Sequence, residues 1–83
     1  MRAELTDADV RELLLAVGMD GDVDDTTLAM SFEDLHLDSL ARMEIASRIQ
    51  TRYGFDIESL ITADSAPLDV KAIVNGRLAA TIN

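Results

Sequence analysis

Cysteine is absent from the chain, and aromatic residues are rare. Without Cys the chain encodes no disulfide, no thiolate metal ligand and no thiol nucleophile. Aromatic residues make up 4% of the chain while hydrophobic residues as a whole make up 48%, so aliphatic side chains must fill the core. Helical bundles often have this balance, and we therefore expect an all-α fold.

Long hydrophobic runs are lacking too, and the chain is short. The longest apolar run near the start, Leu13 to Val17, cannot span a membrane, and acidic residues flank it where a signal peptide would be basic. We therefore expect a cytoplasmic protein. The 83 residues suffice for one core but not for a substrate cleft between domains, so we expect residues 1–83 to form a single domain that is not an enzyme.

Basic residues are few, because 7 Lys and Arg stand against 16 Asp and Glu, for a formal net charge of −9. The field of such a chain repels nucleic acid and anionic membrane surfaces and attracts basic protein surfaces. The acidity lies in the first half, since residues 1–38 hold 11 of the acidic residues and 2 of the basic ones. We therefore expect protein partners, and neither nucleic acid nor a membrane.

Apolar residues at helical spacing predict a helix near each end of the chain. The first covers about residues 7–17, with Thr6 as its N-cap. The last covers about residues 67–80, with a proline in its first turn, where the missing N–H costs little. The pair Asn75-Gly76 also permits a turn, but the apolar period continues past it.

The middle of the chain is predicted to hold a long loop and two more helices. Residues 19–38 show no sustained period and are predicted as a loop whose apolar residues pin it to the bundle. A helix should begin at Asp38 or Ser39 and end at Gly54. The short apolar stretch 57–63 is predicted as a brief third helix. The period of the longer helix rests on five residues, namely Leu40, Met43, Ala46, Ile49 and Tyr53.

The tripeptide Asp38-Ser39-Leu40 puts a hydroxyl in the first turn of an amphipathic helix, directly after the long loop. A helix N-terminus presents unpaired N–H groups and a partial positive charge, so a phosphodiester on Ser39 would lie where anions are favoured. A flexible arm at this place would project clear of the core. Asp and Ser are also the preferred N-cap residues, so the tripeptide alone is equally typical of a cap.

The tripeptide is one of several segments that occur in a recognisable order. These segments are Phe32-Glu33-Asp34-Leu35, Leu37-Asp38-Ser39-Leu40, Glu44, Arg52-Tyr53-Gly54, Pro67 and Val74-Asn75. In order and spacing they resemble the acyl carrier proteins, over about residues 5–80. The resemblance implies a three-to-four-helix bundle with a long first loop. It also implies that Ser39 receives 4′-phosphopantetheine from coenzyme A, which would supply the thiol that this cysteine-free chain lacks.

Within the family, the chain is most similar to carriers of bacterial aromatic (type II) polyketide synthases. The similarity lies in Ser39-Leu40-Ala41, Met43-Glu44, Arg48 and Arg52-Tyr53-Gly54. Fatty-acid carriers typically hold more acids along this helix, where the present chain has Ala41, Arg42, Gln50 and Arg52. We therefore expect a carrier that tethers growing polyketide or related acyl intermediates as thioesters. The alternatives are a fatty-acid carrier, a peptidyl or aminoacyl carrier, or an unmodified acidic helical adaptor.

The resemblance assigns roles to the neighbours of Ser39. Asp38 would cap the helix and help a transferase and its metal engage the serine, Leu40 would help present the arm, and Glu44 would be a recognition position for partners. His36 stands where the family commonly has glycine. The backbone conformation before Asp38 is therefore not determined by the resemblance.

The resemblance also implies a set of partner enzymes. A phosphopantetheinyl transferase would load the arm. A ketosynthase with its chain-length factor, an acyltransferase, and ketoreductase or cyclase enzymes would then use the carrier, itself a monomer.

Two other sites are suggested by residue types and rejected. Ser39, His36 and Asp38 supply a nucleophile, a base and an acid, but neighbours in one short segment can scarcely form a triad with an oxyanion hole. Asp22, Asp24 and Glu33 would occupy positions 1, 3 and 12 of a calcium loop, but its sixth position is Thr27 and not glycine. We therefore expect no metal and no catalytic residue.

Overall fold

Four α-helices follow one another along residues 4–19 and 23–81, the part of the chain that the computed structural model describes. They are α1 (Asp7–Ala16), α2 (Asp25–Ala29), α3 (Ser39–Tyr53) and α4 (Pro67–Thr81). No strand occurs within these described ranges. The all-α prediction is therefore confirmed, and α1, α3 and α4 lie within a residue or so of their predicted positions.

Side-chain caps decide where the first two helices begin. The Thr6 hydroxyl accepts a hydrogen bond from the Asp9 N–H at 3.1 Å, and the Asp9 carboxylate accepts one from the Thr6 N–H at 3.0 Å. This reciprocal pair satisfies two backbone donors at the start of α1. The Asp24 carboxylate accepts from the Thr27 N–H at 2.9 Å and begins α2 in the same way.

Two predictions for the connecting segments need correction. The loop predicted over 19–38 contains α2, which is too short to show a hydrophobic period. The helix predicted over 57–63 is only a single 3₁₀ turn, Glu58–Leu60. The chain is extended again at Ile61, where φ is −108° and ψ is 123°, so no second turn can form.

The Asn75-Gly76 pair does not form a turn, and α4 continues through it. The Asn75 side chain binds the backbone of Leu5 from both of its polar atoms. Its Oδ1 accepts from the Leu5 N–H at 2.8 Å, and its Nδ2 donates to the Leu5 carbonyl at 3.0 Å. Asn75 therefore connects the segment before α1 to α4. This contact accounts for the presence of asparagine, a poor helix former, in the middle of α4.

One apolar core lies between the helices, with α1 packed on α3 and α4, and α2 on α4. Leu28 and Phe32 from the first connection are fully buried, which confirms that this segment is pinned to the bundle. Burying such a side chain contributes roughly 1.5–3 kcal/mol. Among the described helices none is long and apolar enough to cross a membrane. The core residues are Leu5, Val10, Leu14, Leu28, Phe32, Leu37, Ile45, Ala46, Ile49, Tyr53, Ile57, Ile61, Val70, Val74 and Leu78.

Candidate functional site

Ser39 is the first residue of α3, and its side chain is exposed. The residue before it, Asp38, has extended backbone angles, and its Oδ1 accepts a hydrogen bond from the Ala41 N–H at 3.0 Å. The cap of α3 is therefore Asp38. Because the cap is already provided, the hydroxyl of Ser39 has no structural duty at the helix start and is presented to solvent.

The segment before α3 is held firmly against the bundle. The Phe32 N–H donates to the Ser65 carbonyl at 2.8 Å, and the Glu33 N–H donates to the Ala63 carbonyl at 3.0 Å. Phe32 and Leu37 anchor the same segment in the core. These contacts fix the position of the backbone from which Ser39 follows.

His36 closes this segment in a left-handed conformation, with φ at 59°. The turn around it is hydrogen-bonded, since the His36 N–H donates to the Glu33 carbonyl at 3.0 Å and the Leu37 N–H to the Phe32 carbonyl at 2.9 Å. A left-handed conformation costs an L-residue roughly 1–2 kcal/mol, which glycine avoids. The backbone at His36 therefore keeps the left-handed conformation that suits glycine. The conformation of the segment before Asp38, which the sequence did not determine, is thus the one that a glycine would adopt.

Two large apolar side chains on α3 are exposed beside Ser39. Leu40 is 71% exposed and Met43 is 48% exposed. The periodicity had placed both on the same face as the core residues, and this part of the prediction is wrong. The buried residues of α3 begin only at Ile45. In the first turn the core is contacted by Ala41, which lies on a different face of the helix from Leu40. Leu40 lines a shallow groove between the start of α3 and the end of α1, where Val17 and Gly18 form the other wall.

Glu44 lies about one and a half turns beyond Ser39, and its side chain is exposed. Its Oε1 accepts from Arg48 Nε at 3.1 Å, which forms an ion pair along the helix. Pairs of this kind contribute only about 0.3–0.5 kcal/mol because both groups stay hydrated. A basic side chain of a partner therefore competes with a weak internal contact at Glu44.

Residues of the two rejected sites cap helices in the structure. Asp38, the acid of the suggested triad, directs its carboxylate to the Ala41 N–H. Asp24, from the suggested calcium loop, caps α2, while Asp22 lies outside the described residues. No group of three His, Asp or Glu side chains in residues 4–19 and 23–81 is placed to hold a metal ion.

The residues at the start of α3 fit a phosphodiester-linked arm. The Ser39 hydroxyl is accessible, it lies at the positive end of a 15-residue helix, and the backbone beneath it is anchored. An arm attached there leads away from the core into solvent. The sequence had predicted that Asp38 and Ser39 lie at the start of this helix, and the resemblance had implied that Leu40 helps present the arm, although the periodicity had placed Leu40 on the core face. Met43 and Arg42 had not been identified as neighbours of the site.

Comparisons with known proteins agree with this geometry. A family model described as a phosphopantetheine attachment site matches residues 8–64. The actinorhodin polyketide synthase acyl carrier protein of Streptomyces coelicolor is 35% identical over 85 residues, which cover 95% of this chain and 96% of that protein. The solution structure of butyryl-ACP from the actinorhodin polyketide synthase matches with a TM-score of 0.77 at 36% identity, covering 96% of this chain and 98% of that one.

These matches define a carrier domain that bears a phosphopantetheine group. The chain belongs to the acyl carrier protein family. Its cofactor is a covalently attached 4′-phosphopantetheine, whose terminal thiol carries acyl groups as thioesters. The predicted family, fold and cofactor are thereby confirmed.

Proposed function

We propose that Ser39 carries the 4′-phosphopantetheine arm and that the chain is the carrier of a type II polyketide synthase. The observation that supports the attachment residue is the division of roles at the start of α3. Asp38 supplies the cap through its contact with the Ala41 N–H, and Ser39 next to it is exposed. Other serines of the described chain lie away from a helix start or cap turns, as Ser31 and Ser65 do.

Attachment follows from the chemistry of coenzyme A. The Ser39 hydroxyl attacks the phosphorus that bears the pantetheine, which forms the Oγ–P bond and breaks the pyrophosphate bond. The leaving group is 3′,5′-ADP, and the proton of the hydroxyl passes to a base of the transferase. Asp38, the residue directly before Ser39, would help the transferase and its metal to engage the serine.

The polyketide assignment rests on the near-complete match to the actinorhodin carrier. On this proposal the chain is a non-catalytic subunit that acts as a monomer and meets several enzymes in turn. These are a ketosynthase with its chain-length factor, an acyltransferase, and ketoreductase or cyclase enzymes. Location in the cytoplasm and a single domain over residues 1–83 stay predictions.

Recognition by these enzymes is proposed to use the face of α3 that surrounds Ser39. Leu40 and Met43 supply apolar area, and Glu44 supplies a negative charge within reach of a partner that covers Ser39. Leu40 and Met43 are three residues apart on α3 and so lie side by side, and contiguous exposed apolar area is typical of contact surfaces for other proteins. The acidic field of the chain, with a net charge of −9, steers basic surfaces toward it.

Intact mass spectrometry tests the attachment residue. Incubation with coenzyme A, Mg²⁺ and a broad-specificity phosphopantetheinyl transferase should add one phosphopantetheine, and Ser39→Ala should abolish the addition without loss of helical content. Ser47→Ala is the matched control, because Ser47 is exposed on the same helix. The modified protein should also gain one titratable thiol. An unchanged mass, or a modification that maps to another serine, contradicts the proposal.

A charge reversal tests the recognition face. Glu44→Lys should slow modification and condensation more than Glu58→Lys, although both change the net charge by two units. Glu58 lies in the 3₁₀ turn beyond α3, away from the start of that helix. Long-range steering alone would treat the two changes alike. Arg48→Gln, which removes the internal partner of Glu44, should leave the rate unchanged or raise it. Equal rates for the two reversals, with unchanged Tm values, would reduce Glu44 to an ordinary surface residue.

A further inference from the structure

Arg42 differs from the other basic side chains of the described chain. Arg11, Arg48, Arg52 and Lys71 each form an ion pair with an acid, at 2.8–3.5 Å. Arg77 lies over the ring of Phe55, with its guanidinium carbon 5.2 Å from the ring centroid. Within residues 4–19 and 23–81, Arg42 has no acid at ion-pair distance. A cation without an acid partner is unexpected in a chain with a net charge of −9.

The position of Arg42 relates it directly to Ser39. The two residues are three apart on α3, so they lie on the same face as neighbours. Side chains on an α-helix lean toward its N-terminus, which carries the guanidinium of Arg42 back toward the first turn.

Arg42 also lies along a groove and does not extend freely into solvent. It is half-buried, and with Leu37 and Ala63 it lines a groove of about 340 Å³ beside the start of α3. The aliphatic stem of an arginine can pack on such apolar walls while its charged head stays in water. The long side chain is therefore partly ordered beside Ser39, which lowers the entropy cost of a further contact.

The surroundings of Ser39 make a cation useful there. Glu33 and Asp38, both acidic, line the same groove as Arg42, and Asp38 directly precedes the residue to which a phosphodiester would be attached. A phosphodiester adds a further negative charge, which these carboxylates repel. Arginine is the side chain best suited to compensate, because its planar fork of donors matches phosphate oxygens.

We propose that the guanidinium of Arg42 pairs with the phosphodiester on Ser39 and holds the base of the arm along the groove lined by Leu37 and Ala63. This inference rests on the proposed attachment at Ser39. The contact would offset the repulsion from Asp38 and Glu33 while the rest of the arm stays free to reach partner enzymes.

Proton–nitrogen NMR of the arginine Nε–H groups tests the contact directly. Spectra of the apo and phosphopantetheinylated protein are compared, after intact mass and peptide mapping confirm modification at Ser39. The Arg42 Nε–H signal should move several times more than that of Arg48, which is on the same helix but is paired with Glu44. Equal or absent movement of the two signals overturns the proposal.

Thermal unfolding supplies a second readout with matched variants. Arg42→Gln and Arg48→Gln each remove one positive charge from α3. The change in Tm on modification should be about 2–4 °C less favourable in Arg42→Gln than in wild type at low salt, and unchanged in Arg48→Gln. The difference should vanish near 1 M salt, where screening acts over roughly 3 Å.

The contact of Arg42 and the attachment at Ser39 are overturned by different results. If modification is confirmed at Ser39 but Arg42→Gln shows the same change in Tm as wild type, only the contact is overturned. If no phosphopantetheine is added, or if it maps elsewhere, the attachment at Ser39 is overturned and the contact with it.

Discussion

The cap at Asp38 allows the structural and chemical roles of one side chain to be separated by substitution. The contact from the Asp38 carboxylate to the Ala41 N–H is 3.0 Å long and starts a 15-residue helix that supplies four core residues. Replacing an N-cap Asp by Ala costs about 1 kcal/mol. For a domain of this size a loss of 1 kcal/mol lowers Tm by roughly 4–8 °C. Asp38→Ala should therefore melt about 4–8 °C below wild type.

Asp38→Ser provides the matched comparison. Serine keeps an oxygen that can accept from the Ala41 N–H, so only the attraction of the carboxylate for the helix dipole is lost. The Tm of this variant should fall by less than half as much as that of Asp38→Ala. Far-UV circular dichroism gives the Tm values, and the rate of modification of Ser39 is measured on the same samples by mass spectrometry.

The two variants together distinguish a cap from a recognition charge. If the carboxylate helps the transferase, both variants should be modified slowly, although Asp38→Ser is nearly as stable as wild type. If Asp38 is only a cap, Asp38→Ser should be modified at the wild-type rate. A Tm for Asp38→Ala within about 1 °C of wild type would refute the reasoning from the cap.

Substitutions at four further positions, all outside α3, test local structure. His36→Gly should raise Tm by about 2–4 °C, because relief of the left-handed conformation exceeds the entropy cost of glycine. His36→Val should lower Tm. A lower Tm for the glycine variant than for the valine variant would contradict the strain at φ 59°. Gly76→Ala should raise Tm by about 4–8 °C, since a Cβ there meets nothing within 4 Å beyond its chain neighbours and the backbone of its own helix, whereas Gly18→Ala, at φ 108°, should lower Tm. The pKa of Asp9 is held below its ordinary value of 3.8, first by the Thr6 N–H and also by Arg52, so its contribution to stability is present above 3.8 and is lost as the pH falls. In urea unfolding, Asp9→Asn should therefore be less stable than wild type at neutral pH, and the difference should shrink steadily as the pH falls below 3.8; a difference that stays constant in acid would contradict this.

The long helices could be predicted from the sequence because several independent sequence features indicate each of them. The first helix has a cap at Thr6, acids in its first turn and an apolar stripe, and all three agree with the structure. A five-residue helix such as α2 cannot show a stripe. Its only local signal was the cap at Asp24 with Thr27 three residues later.

The site was predictable in part for the same reason. Asp38 and Ser39 are both good N-cap residues, so the sequence could place the helix start but could not say which of them would be the cap. The exposure of Leu40 and Met43 depends on where the core ends along α3, and the lack of a partner for Arg42 depends on how the preceding loop folds back. Both are set by contacts between distant segments, such as Phe32 with Ser65, which no local pattern encodes.

These long-range contacts also explain how an acyl carrier can serve several enzymes with one site. If the backbone around Ser39 were flexible, each partner would have to order it on binding. The entropy cost of that ordering would weaken the binding free energy for every partner. Here Phe32 and Leu37 fix the segment before α3 in the core, so the motion needed to reach different active sites belongs to the arm. On the proposed function, the exposed Leu40 and Met43 form one apolar surface on which each enzyme makes its own set of contacts. It follows that loosening the base, as Phe32→Ala would, should weaken binding to every partner together, whereas a change at Met43 should affect only the partners that contact it.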